Sequence, residues 1–350
     1  MSRFFGLSLV RDWMQCELSS TAVSVQAETT RREIRGTLMK WFSDLLTAMS
    51  NNTGTVPFFL LSNAISVVTL CIKFDFPLHW PTAFSELLQL GYAHGIHGIE
   101  VVVKVLKELE VEIVMFSETR SKAEMALNTA VKDAMRDSSV MLEIVMFLCR
   151  SAQHALETQR FDLCAACLRS LAELIAWIDV TLVMEQALPT VFTLWQCQDS
   201  TIRAASCLCF FELVKKGMDP VAKVRLLHTV GLVGLLVQDQ RTQTLLGNTS
   251  VGSAGKKQGK GLQEEEEREL EQAGALVDMI VLELFGCWSK YEDMVCGGGK
   301  GKGSGASPSS SCMSSGSNTP VGSSNDSSEL VAAVPLVVGF LHQLLPLLLQ

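Results

Sequence analysis

Apolar side chains recur every three to four residues along most of this chain, and this spacing predicts α-helices. Within 161–227, four apolar residues lie at i, i+4, i+7 and i+11 on one helical face: Cys164, Leu168, Leu171 and Ile175. A second helix is predicted after the start signal at Asp199, and Gly217 stands where its C-terminal cap belongs. Pro220 marks the first turn of a third, where proline is tolerated. The stretch therefore predicts helices joined by short turns.

These helices carry apolar residues on more than one face, as in AACLRSLAELIAWI, so a single helix pair would leave apolar surface exposed. Stacked pairs bury that surface, and HEAT and armadillo solenoids do this with about 40–47 residues per repeat. The composition, 48% hydrophobic with only 2 Tyr, also favours helices over sheets. We therefore predict an all-α fold, a HEAT-like α-solenoid of stacked antiparallel helix pairs with low-complexity insertions.

Two earlier stretches continue the pattern. From Arg31, one helical face is predicted to consist of four apolar residues: Ile34, Leu38, Trp41 and Leu45. Farther along, HWPTAFSELLQL places Trp80 before Pro81 at a helix start. Both stretches extend the predicted solenoid towards the N-terminus.

Changes in composition divide the chain into six predicted segments. They are a divergent N-terminus at 1–28, with a frayed helix or disorder, a solenoid at 29–238, a charged Gly-rich loop at 239–268, a solenoid helix at 269–292, a disordered Ser/Gly-rich linker at 293–328, and a truncated solenoid helix at 329–350.

The last stretch, 330–350, is apolar and long enough to cross a bilayer. Against a membrane span, Pro335, His342, Gln343 and Pro346 interrupt it, and it has no basic flank. We therefore favour a solenoid helix and expect no membrane insertion.

The formal charge is −8, which argues against a nonspecific nucleic-acid binder, because such binding needs many cations to neutralise phosphates. A nucleic-acid cargo would require Lys and Arg gathered on one face. The 11 cysteines are scattered through helical patterns, which is typical of core residues in a reducing compartment.

The motifs give no indication of an enzyme or a cofactor. Cys164 and Cys167 form an isolated C-x-x-C with no second pair and no histidine at zinc-finger spacing, so we interpret them as core residues. The run GGGKGKGSG departs from the phosphate-loop pattern, because Gly303 follows Lys302 where Ser or Thr is required. The 6 histidines form no H-E-x-x-H motif.

Three short motifs, in order along the chain, resemble the N-terminal part of the exportin-T family, within the importin-β or karyopherin superfamily. They are VKDAMRD at 131–137, AWIDVTLV at 176–183 and ELVKKGMDPVAKVRLL at 212–227. HWPTAF supports the wider superfamily, and WSK at 288–290 is a further match. The resemblance covers roughly 31–290.

This resemblance implies a nuclear export receptor that binds tRNA cooperatively with Ran-GTP, interacts with nucleoporins and shuttles between nucleus and cytoplasm. The GTP would belong to Ran, so no catalytic site is expected. Six candidate contacts with tRNA or Ran follow: Lys132, Arg136, Lys215, Lys216, Lys223 and Arg225. The alternatives are that Lys132 and Arg136, in line with Lys122 and Asn128, belong to a solvated polar stripe, and that Lys215 and Lys216 cap a helix.

Two other functions remain open at the level of the sequence. One is an importin-β-type karyopherin for a protein cargo, because HWPTAF is shared across that branch. The other is a HEAT scaffold that does not depend on Ran. The negative overall charge slightly favours both over an RNA carrier.

Overall fold

The computed structural model describes residues 6–12, 25–51, 57–115, 120–238, 260–297 and 326–348. Within these ranges the regular structure is helical and contains no strand. The chain divides into two compact units, Met1–Leu213 and Val214–Gln350, which we call the N-terminal and C-terminal units. The predicted all-α class is confirmed.

The described helices of the N-terminal unit include two π-helices, and the last helix, α11, runs two residues past the boundary of the unit. They are α1 (6–12), α2 (Val25–Ser50), α3 (Phe58–Asp75), α4 (Ala83–Ala93), α5 (Gly95–Leu109), π1 (Glu110–Val114), α6 (Lys122–Asp137), α7 (Val140–Glu157), α8 (Phe161–Ile175), α9 (Val180–Leu182) with π2 (Val183–Ala187), α10 (Leu188–Trp195) and α11 (Ser200–Lys215).

The C-terminal unit contains α12 (Pro220–Val230), α13 (Leu232–Gln238), α14 (Lys260–Gly297) and α15 (Asp326–Leu348). The helix that starts at Pro220 ends at Val230, because Gly231 follows it with a left-handed φ of 67° that favours glycine. α12 and α13 consequently meet at 52°.

The predicted helix starts after residue 199 and at Pro220 are confirmed. The Asp199 carboxylate accepts a hydrogen bond from the Ile202 amide at 3.0 Å, at the start of α11. Asp219 is the N-cap of α12, and its carboxylate accepts from the Val221 amide at 2.8 Å. Both carboxylates satisfy amides that the helix itself leaves unpaired. Local sequence is therefore sufficient to place these two boundaries.

Neighbouring helices of the N-terminal unit pack in pairs, with α4 against α5 and α7 against α8, while α5 also packs on α3 and α8. Phe84, Phe147 and Phe210 are fully buried in this core. Stacked helix pairs with a continuous core are the architecture that the helical periodicity predicts, and the solenoid class is confirmed.

The α4–α5 pair depends on a close approach between two glycines. The turn between the helices uses Gly95 at a φ of 55°, and Gly98 then lies against the end of α4. A Cβ atom at position 98 would lie 2.7 Å from the Gly91 carbonyl oxygen and 2.8 Å from that of Leu90. Both neighbours are backbone atoms, so a side chain here would force the helices apart.

We expect Gly98→Ala to lower the free energy of unfolding by about 1–3 kcal/mol, the usual range for overpacking. Chemical denaturation measures the change. Gly36→Ala is a matched control, because Gly36 is an exposed glycine inside α2 and a methyl group there would meet no atom within 4 Å. This control should gain about 0.5–1 kcal/mol from helix propensity. Equal effects at the two positions would contradict the close-approach interpretation.

In the C-terminal unit, α12 packs on α14 and α15, and α13 packs on α15. Val224 and Leu227 of α12 are buried with Leu284 of α14 and Val337 of α15. α15 continues through Pro335, so this proline does not divide the helix as the sequence suggests. The predicted helix near the C-terminus is therefore present, and it begins at Asp326 rather than 329.

Other boundaries also differ from the predicted segments. α14 begins at Lys260, inside the predicted loop at 239–268, and ends at Gly297 rather than 292. Residues 239–259 and 298–325, where the rest of the loop and most of the linker are predicted, lie outside the described residues. In the predicted divergent N-terminus, 6–12 is helical and α2 already starts at Val25.

The buried face of α2 is rotated from the predicted one. Leu38 and Leu45 are buried as predicted, but Ile34 and Trp41 are only partly buried. Arg31 and Arg35 lie on the buried side instead, because the buried carboxylate of α3 faces them. The buried face of this helix therefore includes a long-range charge contact.

Two described helices have apolar windows long enough to cross a membrane by length and composition, Phe58–Asp75 and Glu271–Lys290. In the first, 61% of the window is buried inside the protein, and α3 packs against α2 and α5. The apolar stretch of α15, Ala332–Leu344, is shorter than these windows.

Candidate functional site

The first two candidate contact residues, Lys132 and Arg136, lie one turn apart on α6. Arg136 is exposed and Lys132 is half-buried. Lys122, at the start of the same helix, is also exposed. Asn128 does not belong to a solvated stripe, as its helical spacing suggests, because it is buried and its Nδ2 donates to the Glu112 carbonyl at 3.0 Å. The basic residues therefore flank a buried amide.

Arg136 is fixed by Trp177, in the turn after α8. Its Nε and Nη2 donate to the Trp177 carbonyl oxygen at 3.3 and 3.2 Å, and its guanidinium lies 5.2 Å from the centre of the Trp177 ring. Nη1 also contacts Asp133 at 3.1 Å. A cation over an indole face is attracted to it. Two of the motifs that the sequence singles out, VKDAMRD and AWIDVTLV, thus meet at this contact.

Beneath the contact, Glu110 begins the π-helix π1. The Trp177 Nε1–H donates to Glu110 Oε2 at 3.3 Å. Burial raises the pKa of Glu110 to about 7, with a further upward contribution from the nearby charge of Glu173, while the Trp177 hydrogen bond and Lys132 act to lower it. Single π-turns inside helical segments are frequent at functional sites.

Glu173 shares this partly desolvated environment. Burial raises its pKa as well, and the positive charge of Lys107 on α5 opposes that shift. A cavity of about 20 Å³ adjoins Glu110, with Leu106, Ile113 and Ile144 in its wall. By volume, a cavity of this size can hold one water molecule.

A second polar cluster lies on the other side of π1, around Lys73. This lysine is 2% exposed, and its Nζ lies 2.9 Å from Glu112 Oε2 and 2.8 Å from Glu124 Oε1. Lys73 therefore joins α3 to π1 and to the first turn of α6. Arg120 lies 4.0 Å from the same Glu124 and donates to the Met115 carbonyl. The cluster fixes the path of the chain from π1 into α6.

A third cluster joins α2 to α3. Asp75 is fully buried, with Arg35 hydrogen-bonded to its Oδ2 and Arg31 3.4 Å from its Oδ1. The Arg35 guanidinium also lies 5.6 Å from the Trp80 ring centre. Both guanidinium groups are almost fully removed from water, so the carboxylate is required to compensate their charge.

The remaining four candidates lie in 214–350. Lys215 and Arg225 are exposed and Lys216 is half-buried. Lys223 is different, because it is 2% exposed and its Nζ lies 3.1 Å from Glu283 Oε1. Its position joins α12 to α14 inside the C-terminal unit. Whether any of the six candidates contacts a partner stays a prediction.

The polar clusters themselves were not apparent as sites from the sequence. One signal was present for Glu110, which follows Leu106 by four residues and precedes Ile113 by three, and so falls on an apolar helical stripe. A charged residue on such a stripe indicates either a buried partner or a partly exposed helix end. Its partner, Trp177, lies 67 residues away and is visible only in the structure.

The cysteine pair is buried in α8, as its interpretation as core predicts. Burial raises the pKa of Cys164 to about 12 and raises that of Cys167 as well, so both thiols stay protonated at neutral pH. Among the described residues, no group of three or more His, Cys, Asp or Glu side chains is placed to hold a metal ion.

Comparisons with known proteins find similarity to exportins. Residues 57–209 match the family described as Exportin 1-like protein. The chain is 29% identical to exportin-T of Danio rerio over 199 residues, which are 56% of this chain and 20% of that protein. It is 26% identical to human exportin-T over 200 residues, 56% and 20% of the two chains. With Arabidopsis thaliana exportin-T, 28% identity over 193 residues covers 52% and 19%.

The matched segment contains α3 to α10 and the polar clusters around Glu110, Lys73 and Asp75. Arg31 and Arg35 of α2, which contact Asp75, lie before it. The resemblance to exportin-T that the sequence motifs indicate is confirmed by these matches. The chain spans about a fifth of the length of the relatives.

Proposed function

We propose, from the premise that this chain carries an exportin 1-like region similar to exportin-T, that it acts as a karyopherin-type export receptor for tRNA. In this proposal it binds tRNA together with Ran-GTP, passes nuclear pores by contact with nucleoporins, and shuttles between nucleus and cytoplasm. The observation that carries the proposal is the match of residues 57–209 together with exportin-T relatives from animals and a plant.

The surface chemistry of α6 is compatible with an RNA partner. Folded RNA is recognised mostly through its shape, phosphates and 2′-hydroxyl groups, so cations held on a rigid element are more useful than base-reading groups. Lys122, Lys132 and Arg136 lie on one helix, and Arg136 is held by the Trp177 carbonyl and ring. A guanidinium with a fixed position loses less conformational entropy on binding than a free one.

Cooperation between tRNA and Ran-GTP would follow from linkage. If both ligands favour the same arrangement of the helix pairs, each raises the affinity for the other by the same factor. Helical repeats contact only their neighbours, which allows such an arrangement to adjust. Hydrolysis of the GTP on Ran would then weaken both interactions at once.

A tRNA titration of the full chain, with and without Ran locked in its GTP form, tests this function. We expect salt-sensitive tRNA binding that is at least tenfold tighter when Ran-GTP is present. Ran-GTP binding without any effect on tRNA would indicate a karyopherin for a protein cargo. Binding of neither ligand would indicate a HEAT scaffold, and either result would overturn the proposal.

Charge variants on α6 make the same test specific. If Lys132 contacts a phosphate, Lys132→Ala should weaken tRNA binding and reduce the slope of log affinity against log salt by about one. Lys104→Ala is the control, because Lys104 on α5 is 3.0 Å from Glu100 in a half-exposed pair and is outside the candidate set. Equal slopes for both variants would exclude Lys132 as a phosphate contact.

A further inference from the structure

An open groove lies between α1 and α2 in the N-terminal unit. Its volume is about 500 Å³, and nine of the described residues line it. Five of these residues have large apolar side chains. They are Leu7 and Val10 of α1, and Ile34, Leu38 and Trp41 of α2. Most of the groove wall is therefore apolar.

The groove contains the two α2 residues that the apolar pattern predicts to be buried and that the structure leaves only partly buried. Both Ile34 and Trp41 line it. Helix α1 does not cover them, since it is only seven residues long, and its Arg11 donates at 3.4 Å to Asn63 of α3. An occupant of the groove would remove this apolar surface from water, which favours binding.

One edge of the groove is polar. Thr30, Glu33 and Thr37 of α2 also line it, and their spacing of three and four residues places them in a row along one side of the helix. Glu33 and Thr37 are exposed to water. The apolar lining residues of α2 form the adjacent row, so the groove presents a polar edge beside an apolar wall.

The charge of this edge comes from Glu33, the only charged residue among the described residues that line the groove. No ion pair to Glu33 is found in the part of the chain that the structure describes. The nearby cation Arg32 lies 3.5 Å from Glu28, and Arg11 of α1 is directed to α3. Lys40 of α2 is not one of the described lining residues. The groove therefore offers a negative charge to an occupant.

The size of the groove fits a small molecule better than a folded partner. Small-molecule sites in proteins have volumes of about 300–1,000 Å³ and are mostly apolar with a few polar groups. Along α2 the lining residues run from Thr30 to Trp41, a length of about 16 Å at the helical rise. A stable protein interface uses about 20–30 residues on each side, many more than line this groove.

We propose that the groove between α1 and α2 binds a lipophilic amine, which is a small molecule with an apolar body and one positively charged nitrogen. The apolar body packs between α1 and the apolar row of α2. The ammonium group donates to the Glu33 carboxylate, and the Thr37 hydroxyl, one turn farther along α2, provides a second oxygen acceptor. The same carboxylate repels an anionic ligand. This site is separate from the proposed export function.

Three probes of similar shape and different charge test the proposal: phenylbutylamine, phenylbutanol and phenylbutyrate. Nuclear magnetic resonance titrations of the full chain labelled with ¹⁵N-tryptophan report on the groove, because Trp41 lines it. The chain has 6 tryptophans, and Trp41→Phe assigns the indole signal of position 41. At pH 7 the amine is protonated and the carboxylate probe is ionised. We expect the amine to bind at least about fivefold more tightly than the alcohol, and phenylbutyrate to bind most weakly.

Glu33→Gln removes the charge and keeps the shape of the side chain. Because Glu33 is exposed, this variant should fold like the unmodified chain. We expect its affinity for phenylbutylamine to fall by about fivefold to tenfold, while its affinity for phenylbutanol stays the same. Glu157→Gln, which changes an exposed acid on α7, is the matched control and should leave both affinities unchanged.

A second variant tests whether the probes occupy the groove itself. Thr37→Phe places a ring at the polar edge, at an exposed position, and should weaken the binding of all three probes. The proposal is overturned if no probe shifts the Trp41 signal, if the alcohol binds as tightly as the amine, or if either Glu33→Gln or Thr37→Phe binds the amine as the unmodified chain does. These titrations use neither tRNA nor Ran, so their failure would be distinct from failure of the proposed function.

Discussion

Asp75→Asn is expected to destabilise the packing of α2 on α3 by about 3–5 kcal/mol, the range for removing one member of a buried charge cluster. Asp75 is fully buried, and it accepts Arg35 and faces Arg31, which are only 7% and 8% exposed. The asparagine keeps the shape of the side chain but not its charge. Two buried guanidinium groups would then lack a negative partner.

Hydrogen exchange in α2 and α3 measures this effect, because it reports the local stability of individual helices. Asp44→Asn is the control, since Asp44 is an exposed acid on α2, and it should change protection by less than about 0.5 kcal/mol. A double-mutant cycle of Asp75→Asn with Arg35→Met isolates the charge contact. The double variant should be less destabilised than the sum of the two single variants, and strict additivity would contradict the proposed role of the pair.

Lys73→Met is expected to lower stability by about 2–3 kcal/mol, with the loss concentrated in α3, π1 and the start of α6. The methionine fills a similar volume, so the main effect is electrostatic. Glu112 and Glu124, whose side chains are 37% and 35% exposed, would lose the cation that lies within 2.9 Å of both. Their partial exposure keeps the expected loss below that for the fully buried Asp75, because water screens the remaining repulsion.

Chemical denaturation of Lys73→Met, with hydrogen exchange to locate the loss, checks this expectation. The matched control is Lys104→Met, where the lysine is 39% exposed and pairs with Glu100 across one helical turn. Exposed pairs of this type contribute about 0.3–0.5 kcal/mol. If the two methionine variants were equally stable, Lys73 would not be the link between α3 and α6 that its contacts indicate.

Two long-range polar contacts lie on π1, two residues apart. Glu112 pairs with Lys73 on one side of the π-helix, and Glu110 contacts Trp177 on the other. A one-residue change in helical register would turn both side chains by about 100° and move each of them away from its partner. The wider π-turn is the local geometry in which both contacts form.

Local patterns in the sequence were sufficient for the class of fold and for the start of several helices. The start of α12 at Asp219 and Pro220 follows from capping chemistry within four residues. The apolar spacing of Cys164, Leu168 and Leu171 places them on a buried face, as found in α8. The resemblance to exportin-T also followed from short contiguous motifs, and the comparisons confirm it.

The positions of the buried charges could not be obtained in this way. Arg31 and Arg35 have the spacing of an ordinary polar stripe, and only the carboxylate 40 residues after Arg35 makes their burial possible. Lys73 finds its two partners 39 and 51 residues away. Periodicity describes the polarity of one helix and carries no information about the charge of the helix that packs against it.

The sequence by itself therefore determined the caps at Asp199 and Asp219, the stacked all-α architecture and the similarity to exportin-T. Only the tertiary structure decided which charged residues are buried, where the π-turn at Glu110 lies and that this acid meets Trp177. The physical reason is the same in each case. Burial of a charge is stable only when an opposite charge or a hydrogen-bond donor is brought to it, and the chain folding in three dimensions selects that partner.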